Sequence, residues 1–153
     1  MKKLFLVGCI AAMFFACKEE LPETPVESKF TIGMEYEGGK IAHIDKTGEH
    51  GLIVAPTNQT TARTKWEDAI TLCENLVLGD YDDWYLPTKE ELELIYNNRE
   101  EIGGINATAP YWSSTERSED TAYCQYFTTG HHYFDYYVYH KANLYSVRAV
   151  RKF

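Results

Sequence analysis

Cys17 is the residue whose surroundings point most directly to a reaction. Lys2 and Lys3 form a basic start, residues 4–15 a short apolar run, and Ala16 a small residue just before the thiol. This is the layout of a secretory signal, and the run is too short to span a bilayer as a permanent helix. A cysteine directly after the small residue is the expected acceptor for lipid attachment, becoming the new amino terminus after cleavage. Leu6-Val7-Gly8-Cys9 offers a competing acceptor, but cleavage there leaves almost no apolar core, so the expectation falls on Cys17. Two or more acyl chains make a stable anchor, since each buried methylene contributes about 0.8 kcal/mol.

Other reactive residue types are weaker candidates. Ser113, Ser114 and Thr115 carry hydroxyls, and His131, His132 and His140 are bases, but no Gly-x-Ser-x-Gly elbow exposes a nucleophile. His131 and His132 are adjacent, so on a strand they face opposite sides and cannot clasp one ion. Asp80, Asp82 and Asp83 lack the spaced oxygens and the bidentate glutamate of a calcium loop; Asp83 is expected to hydrogen-bond loop amides beside Trp84. No metal ligand set and no cofactor site is read from these residues, and no catalytic residue is named. Cys73 and Cys124 remain once Cys9 and Cys17 are set aside. An oxidising envelope permits them to pair, two buried free thiols are the alternative, and both readings stay open.

Residues 111–145 hold eight of the twelve tyrosines, which directs attention to recognition by rings. On a strand over residues 133–139, Phe134, Tyr136 and Val138 share one face, while Tyr133, Asp135, Tyr137 and Tyr139 share the other. The second set is a platform of rings with a carboxylate among them, suited to stacking on sugars or to a protein contact. His132 flanks it and is counted with it as a ligand-binding residue.

The elements that must position these groups divide the chain into three parts. Residues 1–16 are the signal, and residues 17–29 the lipidated cysteine with an acidic tether containing Pro22 and Pro25. Residues 30–153 suffice for one modest core. Loss of Lys2 and Lys3 leaves 13 basic against 23 acidic residues, a formal charge of −10. Such a surface repels phosphate backbones, so nucleic acid is excluded as a partner and the membrane is met through the anchor only.

Alternation over residues 30–36, 40–45 and 51–55, with Gly38-Gly39 and Lys46-Thr47-Gly48 as turns, predicts a small β-meander. Thr64-Lys65-Trp66-Glu67 and Thr88-Lys89-Glu90-Glu91 both fit a capping box and predict two helix starts. Trp66, Ala69, Ile70, Cys73, Leu76 and Val77 form the apolar stripe of the first helix, which Gly79 is expected to cap. Leu92, Ile95, Tyr96 and Arg99 share a face of the second. Strands are predicted over residues 121–127, 133–139 and 146–152. Strands, two helices, a long loop and more strands describe an α+β domain with an antiparallel sheet.

An ordered set of motifs completes the reading. These are Trp66-x2-Ala69-x3-Cys73-x2-Leu76, Gly79-x-Tyr81-x-Asp83-Trp84-x-Leu86-Pro87-Thr88-x2-Glu91-Leu92, Tyr111-Trp112-Ser113-Ser114-Thr115, Phe127-x2-Gly130 and Val147-Arg148-Ala149-Val150-Arg151. From about residue 38 to 152 the chain resembles the Lcl C-terminal domain family of bacterial secreted and surface proteins. The resemblance implies a C-type-lectin-like fold: two helices packed on a twisted antiparallel sheet whose ends come close, with a long irregular loop. The chain is also similar to the formylglycine-generating enzymes through Leu-Pro-Thr-x-x-Glu, but it lacks their pair of reactive cysteines near the carboxyl end, because only Cys124 lies in that half. Many Lcl-type members carry arginine at Tyr85 and cysteine at Ala149. The familiar bridge from Ala149's position to the first helix is therefore impossible here, and the resemblance leaves Cys124 as a candidate substitute partner for Cys73, with pairing still open. Lys18-Glu19-Glu20 resembles the export signal of Bacteroidota-type surface lipoproteins, which implies a lipid-anchored place at the outer membrane, facing the exterior.

Together these readings predict a surface lipoprotein that binds a glycan or protein ligand without catalysis. Two alternatives accompany it: a structural or accessory subunit of an envelope assembly, and a ligand-binding protein diversified by a retroelement.

Overall fold

The computed structural model describes residues 29–128 and 137–153. Three short strands open the domain: β1 (Glu35–Tyr36), β2 (Gly39–Ile44) and β3 (Gly51–Val54). Helices α1 (Trp66–Glu74), α2 (Lys89–Asn97) and α3 (Arg99–Ile102) follow, then β4 (Pro110–Ser118), β5 (Thr121–Tyr126), β6 (Tyr137–His140) and β7 (Val150–Lys152). The strands form two antiparallel sheets, ordered β1-β2-β3-β7 and β4-β5-β6. The class is α+β as expected, with two sheets where one was predicted.

The period-2 geometry of β3 explains how the core is divided. Leu52 and Val54 join Ala42, Leu92, Ile95, Ile102, Tyr111, Phe127 and Val150 in one apolar cluster. Ile53 and Ala55 point the other way, into a second cluster with Trp66, Ala69, Cys73, Trp84, Leu86, Trp112, Ala122, Cys124, Val147 and Ala149. The first sheet is thus covered on both faces, by α2 and α3 on one side and by α1 on the other. Gly39 is required by this packing: a Cβ there would lie 2.5 Å from Ile53 Cγ2 and from the Val54 carbonyl oxygen.

Helix α2 starts as its sequence predicts. Glu91 N–H donates to Thr88 Oγ1 (3.2 Å) and Thr88 N–H to Glu91 Oε2 (2.9 Å), a complete capping box. The matching expectation at Thr64 fails. Lys65 occupies the cap position without a side-chain bond, because Thr64 pairs through its backbone with Tyr145 and its carbonyl accepts Trp112 Nε1–H at 2.9 Å. Helix α1 also stops at Glu74, so Gly79 caps nothing; its left-handed φ of +66° serves a close approach to Gly38 instead. Val77, predicted to be core, is 70% exposed beyond the helix end. Residues 111–115, which fell outside every predicted strand, belong to β4.

Candidate functional site

The tyrosine-bearing ribbon was the first place to expect a site. On β5 the core-facing residues are Ala122 and Cys124, and the register sets Tyr139 opposite Ala122 and the Tyr137 backbone opposite Cys124. Directly opposed residues share a face. Tyr139 accordingly turns inward: its ring packs against the core cluster, edge-on to Tyr145 at 5.3 Å between centroids. Burial, and then a hydrogen bond with Tyr126, push its hydroxyl well above the usual phenol range. Tyr139 is therefore an edge-of-core residue, which corrects its expected place on an outward platform. Tyr133, Asp135, His132 and Cys17 lie outside the described residues.

The groups that resemble catalytic parts are engaged elsewhere. Cys73 and Cys124 are free thiols in one core cluster, each pushed up to about 12 by burial, with Glu74 adding to the effect at Cys73. Of the two readings left open, a bridge and two buried free thiols, the second is the one present. Ser113 is fully buried; its carbonyl accepts Trp66 Nε1–H (2.7 Å) and its hydroxyl accepts Thr115 N–H (2.9 Å). Thr115 Oγ1 in turn accepts the Lys89 amide at 3.1 Å, satisfying one open donor at the start of α2. Tyr85, where many Lcl-type members carry arginine, donates its hydroxyl to Glu91 Oε1 at 2.7 Å. Among the described residues no group of three His, Cys, Asp or Glu side chains is placed to hold a metal ion.

Polar side chains converge instead where β1 and β2 meet the end of the chain. The Gly38-Gly39 turn places Glu35, Tyr36, Glu37 and Lys40, with Pro56, around an open groove of about 400 Å³. Arg151 of β7 stands behind it. Its Nε and Nη2 donate to the two oxygens of Asp83 (2.6 and 3.1 Å), and its Nη1 donates to Glu37 Oε2 (2.5 Å). The guanidinium also lies 3.7 Å from the Tyr81 ring centroid. Asp83 therefore grips a side chain rather than the loop amides expected of it. The Arg151 bonds hold its carboxyl below the usual carboxylate range. At Glu37 burial works upward, but hydrogen bonds from Arg151, Tyr36 and Tyr81 outweigh it and keep the carboxyl low. With Arg151 neutralising Glu37, the groove presents carboxylate acceptors, the Tyr36 side chain and the Lys40 ammonium side by side. Lys40 Nζ donates to the Ile102 carbonyl at 2.7 Å.

A second cation lies nearby. Arg148 is only 3% exposed, donates from Nη1 to Asn58 Oδ1 (3.1 Å), and has no partner for Nε. Asn58 Oδ1 also accepts the Tyr111 hydroxyl (3.2 Å), which itself accepts the Asn106 amide (3.0 Å). Burial lowers the pKa of Arg148 from its usual value. Sequence reading found the Gly38-Gly39 turn and the final Val-Arg-x-Val-Arg, yet assigned neither arginine a partner. Nothing local to Arg151 announces Asp83 or Glu37, which lie 68 and 114 residues earlier.

Residues 42–151 match the family model described as the Lcl C-terminal domain. No curated protein matches the chain.

Proposed function

The chain belongs to the Lcl C-terminal domain family, and from that premise we propose that it is a non-catalytic binding module of the cell envelope. Cys17 carries the lipid that holds it at the outer membrane, the acidic tether spaces the head, and the head takes up a glycan or protein ligand. The observation that carries this reading is the groove between Glu35 and Pro56, where hydroxyl, carboxylate, ammonium and backbone groups surround an open concavity. That mixture suits a polar ligand such as a sugar, whose hydroxyls need donors and acceptors together. Thiols raised by burial and hydroxyls bound into the frame favour recognition over covalent chemistry. A C-type-lectin-like arrangement is part of the proposal, supported by the helices flanking the first sheet and by the meeting of Phe30 with Phe153, ring centroids 5.0 Å apart.

A glycan array probed with the full chain in detergent tests the reading, alongside protease shaving of intact cells. Wild type should bind a defined glycan set, Glu35→Gln and Lys40→Gln should weaken it about tenfold, and shaving should release the head. Binding by neither glycans nor a crosslinked protein partner, or binding untouched by both substitutions, refutes the groove. A head that resists shaving refutes the exterior location.

A further inference from the structure

The turn that shapes the groove carries a residue in an unusual conformation. Glu37 and Gly38 both have positive φ, +46° and +84°, as the tight hairpin turn between β1 and β2 requires. Glycine adopts such angles freely; a glutamate there is uncommon, and residues held this way gather at functional sites. Hydrogen bonds from Arg151, Tyr36 and Tyr81 hold the Glu37 carboxylate and with it the shape of the turn.

Beside that turn, Glu35 and Lys40 stand directly opposite each other on β1 and β2, so their side chains share one face, and both line the groove. Opposed charges at such a position ordinarily pair, but Lys40 Nζ donates to the Ile102 carbonyl at 2.7 Å instead. Glu35 is exposed and has no cationic partner among the described residues. Its surroundings have the same sign. A Cβ on Gly38 would lie 2.9 Å from Gly79 Cα, so the loop that continues through Asp80, Asp82 and Asp83 packs against the turn. Glu35, Glu37 and those three aspartates are set against two cations, Lys40 and Arg151. A cleft with this balance draws in cations and turns away anions.

We propose that the groove takes an amino sugar, whose protonated amine pairs with Glu35. This deepens the reading of the groove as a ligand site and rests on it. Glu35 is the partner rather than Glu37, which Arg151 already engages. The rest of the ligand is hydroxylated: Lys40 has donors left after Ile102, and Pro56 is the single aliphatic ring among the lining residues.

The test follows the Gly38 and Gly39 amide resonances of the full chain in detergent at about pH 6, where a sugar amine is protonated. Glucosamine is compared with glucose and N-acetylglucosamine, which lack the charge, and with Nα-acetyllysine amide, which carries it on a methylene stem. Glucosamine should move both resonances and bind about threefold tighter than the neutral sugars. Salt at about 0.5 M should erase that preference. So should Glu35→Gln, an exposed change that leaves the Glu37 bonds in place. Equal binding of all three sugars leaves the groove standing and overturns the ammonium. A preference that survives Glu35→Gln overturns the pairing with Glu35. Movement by the lysine probe with glucosamine silent overturns the amino sugar in favour of a basic protein segment. If no probe moves either resonance, the groove reading falls together with the proposal.

Discussion

Replacing Arg151 by methionine tests whether ionic contacts join the first strands to the last. Arg151 is 6% exposed and touches Glu37, whose side chain is 25% exposed, and Asp83, whose side chain is 54% exposed. The Asp83 pair is largely solvated, so its two bonds are worth about 0.5 kcal/mol in the manner of surface pairs. The bond to Glu37 is better shielded and contributes about 1–1.5 kcal/mol, and the stacked Tyr81 ring adds about 0.5–1 kcal/mol. Methionine recovers a little through apolar contact, leaving a loss of about 2 kcal/mol at pH 7. For a domain of this size that lowers Tm by roughly 6–8 °C. The pH dependence carries the decisive sign. Glu37 and Asp83 have folded pKa values below the ordinary carboxylate range, so their contribution is complete above the unfolded value of about 4. It is lost as pH falls through the lower folded values. Urea unfolding of wild type and variant at pH 7, 4.5 and 3 should show a gap that holds to 4.5 and shrinks by half or more at 3. A gap unchanged at pH 3, or absent at pH 7, refutes the reasoning.

Two other outcomes follow from local geometry. Thr88→Ala removes the acceptor of the Glu91 amide but leaves the Thr88 backbone bond to Glu91, so urea denaturation should show a loss of about 1 kcal/mol with an unchanged slope. A loss under 0.3 kcal/mol would show that Tyr85 and Glu91 hold the helix start without it. Cys73 and Cys124, pushed up to about 12, should alkylate about a thousandfold more slowly at pH 8 in the folded chain than in urea, as followed by peptide mass mapping. Rapid labelling without urea, or labelling that requires reduction first, contradicts two buried free thiols.

What could be read from sequence follows the range of the forces involved. The Thr88 capping box spans four residues, and the Trp66, Ala69, Cys73 stripe eight; both are local patterns and both are present. The alternation of β3 was equally plain. The box at Thr64 looked identical, but a strand-like pairing with Tyr145 and the Trp112 indole claimed its backbone from far along the chain. Leu76 and Val77 continued a helical spacing that the helix itself abandoned at Glu74. Tyr139 faced the wrong way in prediction because parity alone does not say which side of a strand is covered; the partner strand decides that. The groove was the least legible feature. Its charged lining, Glu35, Glu37 and Lys40, surrounds the visible Gly38-Gly39 turn, but Arg151, which engages Glu37, comes from the far end of the chain.

The contact of Phe30 and Tyr36 with Phe153, at centroid separations of 5.0 and 5.4 Å, brings the beginning and the close of the head to one spot. A compact unit whose ends are neighbours can be spliced into a host loop or circularly permuted with little disturbance. The chain enters the domain at Phe30, beside Phe153. Anything fused after Phe153 would therefore ride beside that entry point, leaving the far side of the domain unencumbered.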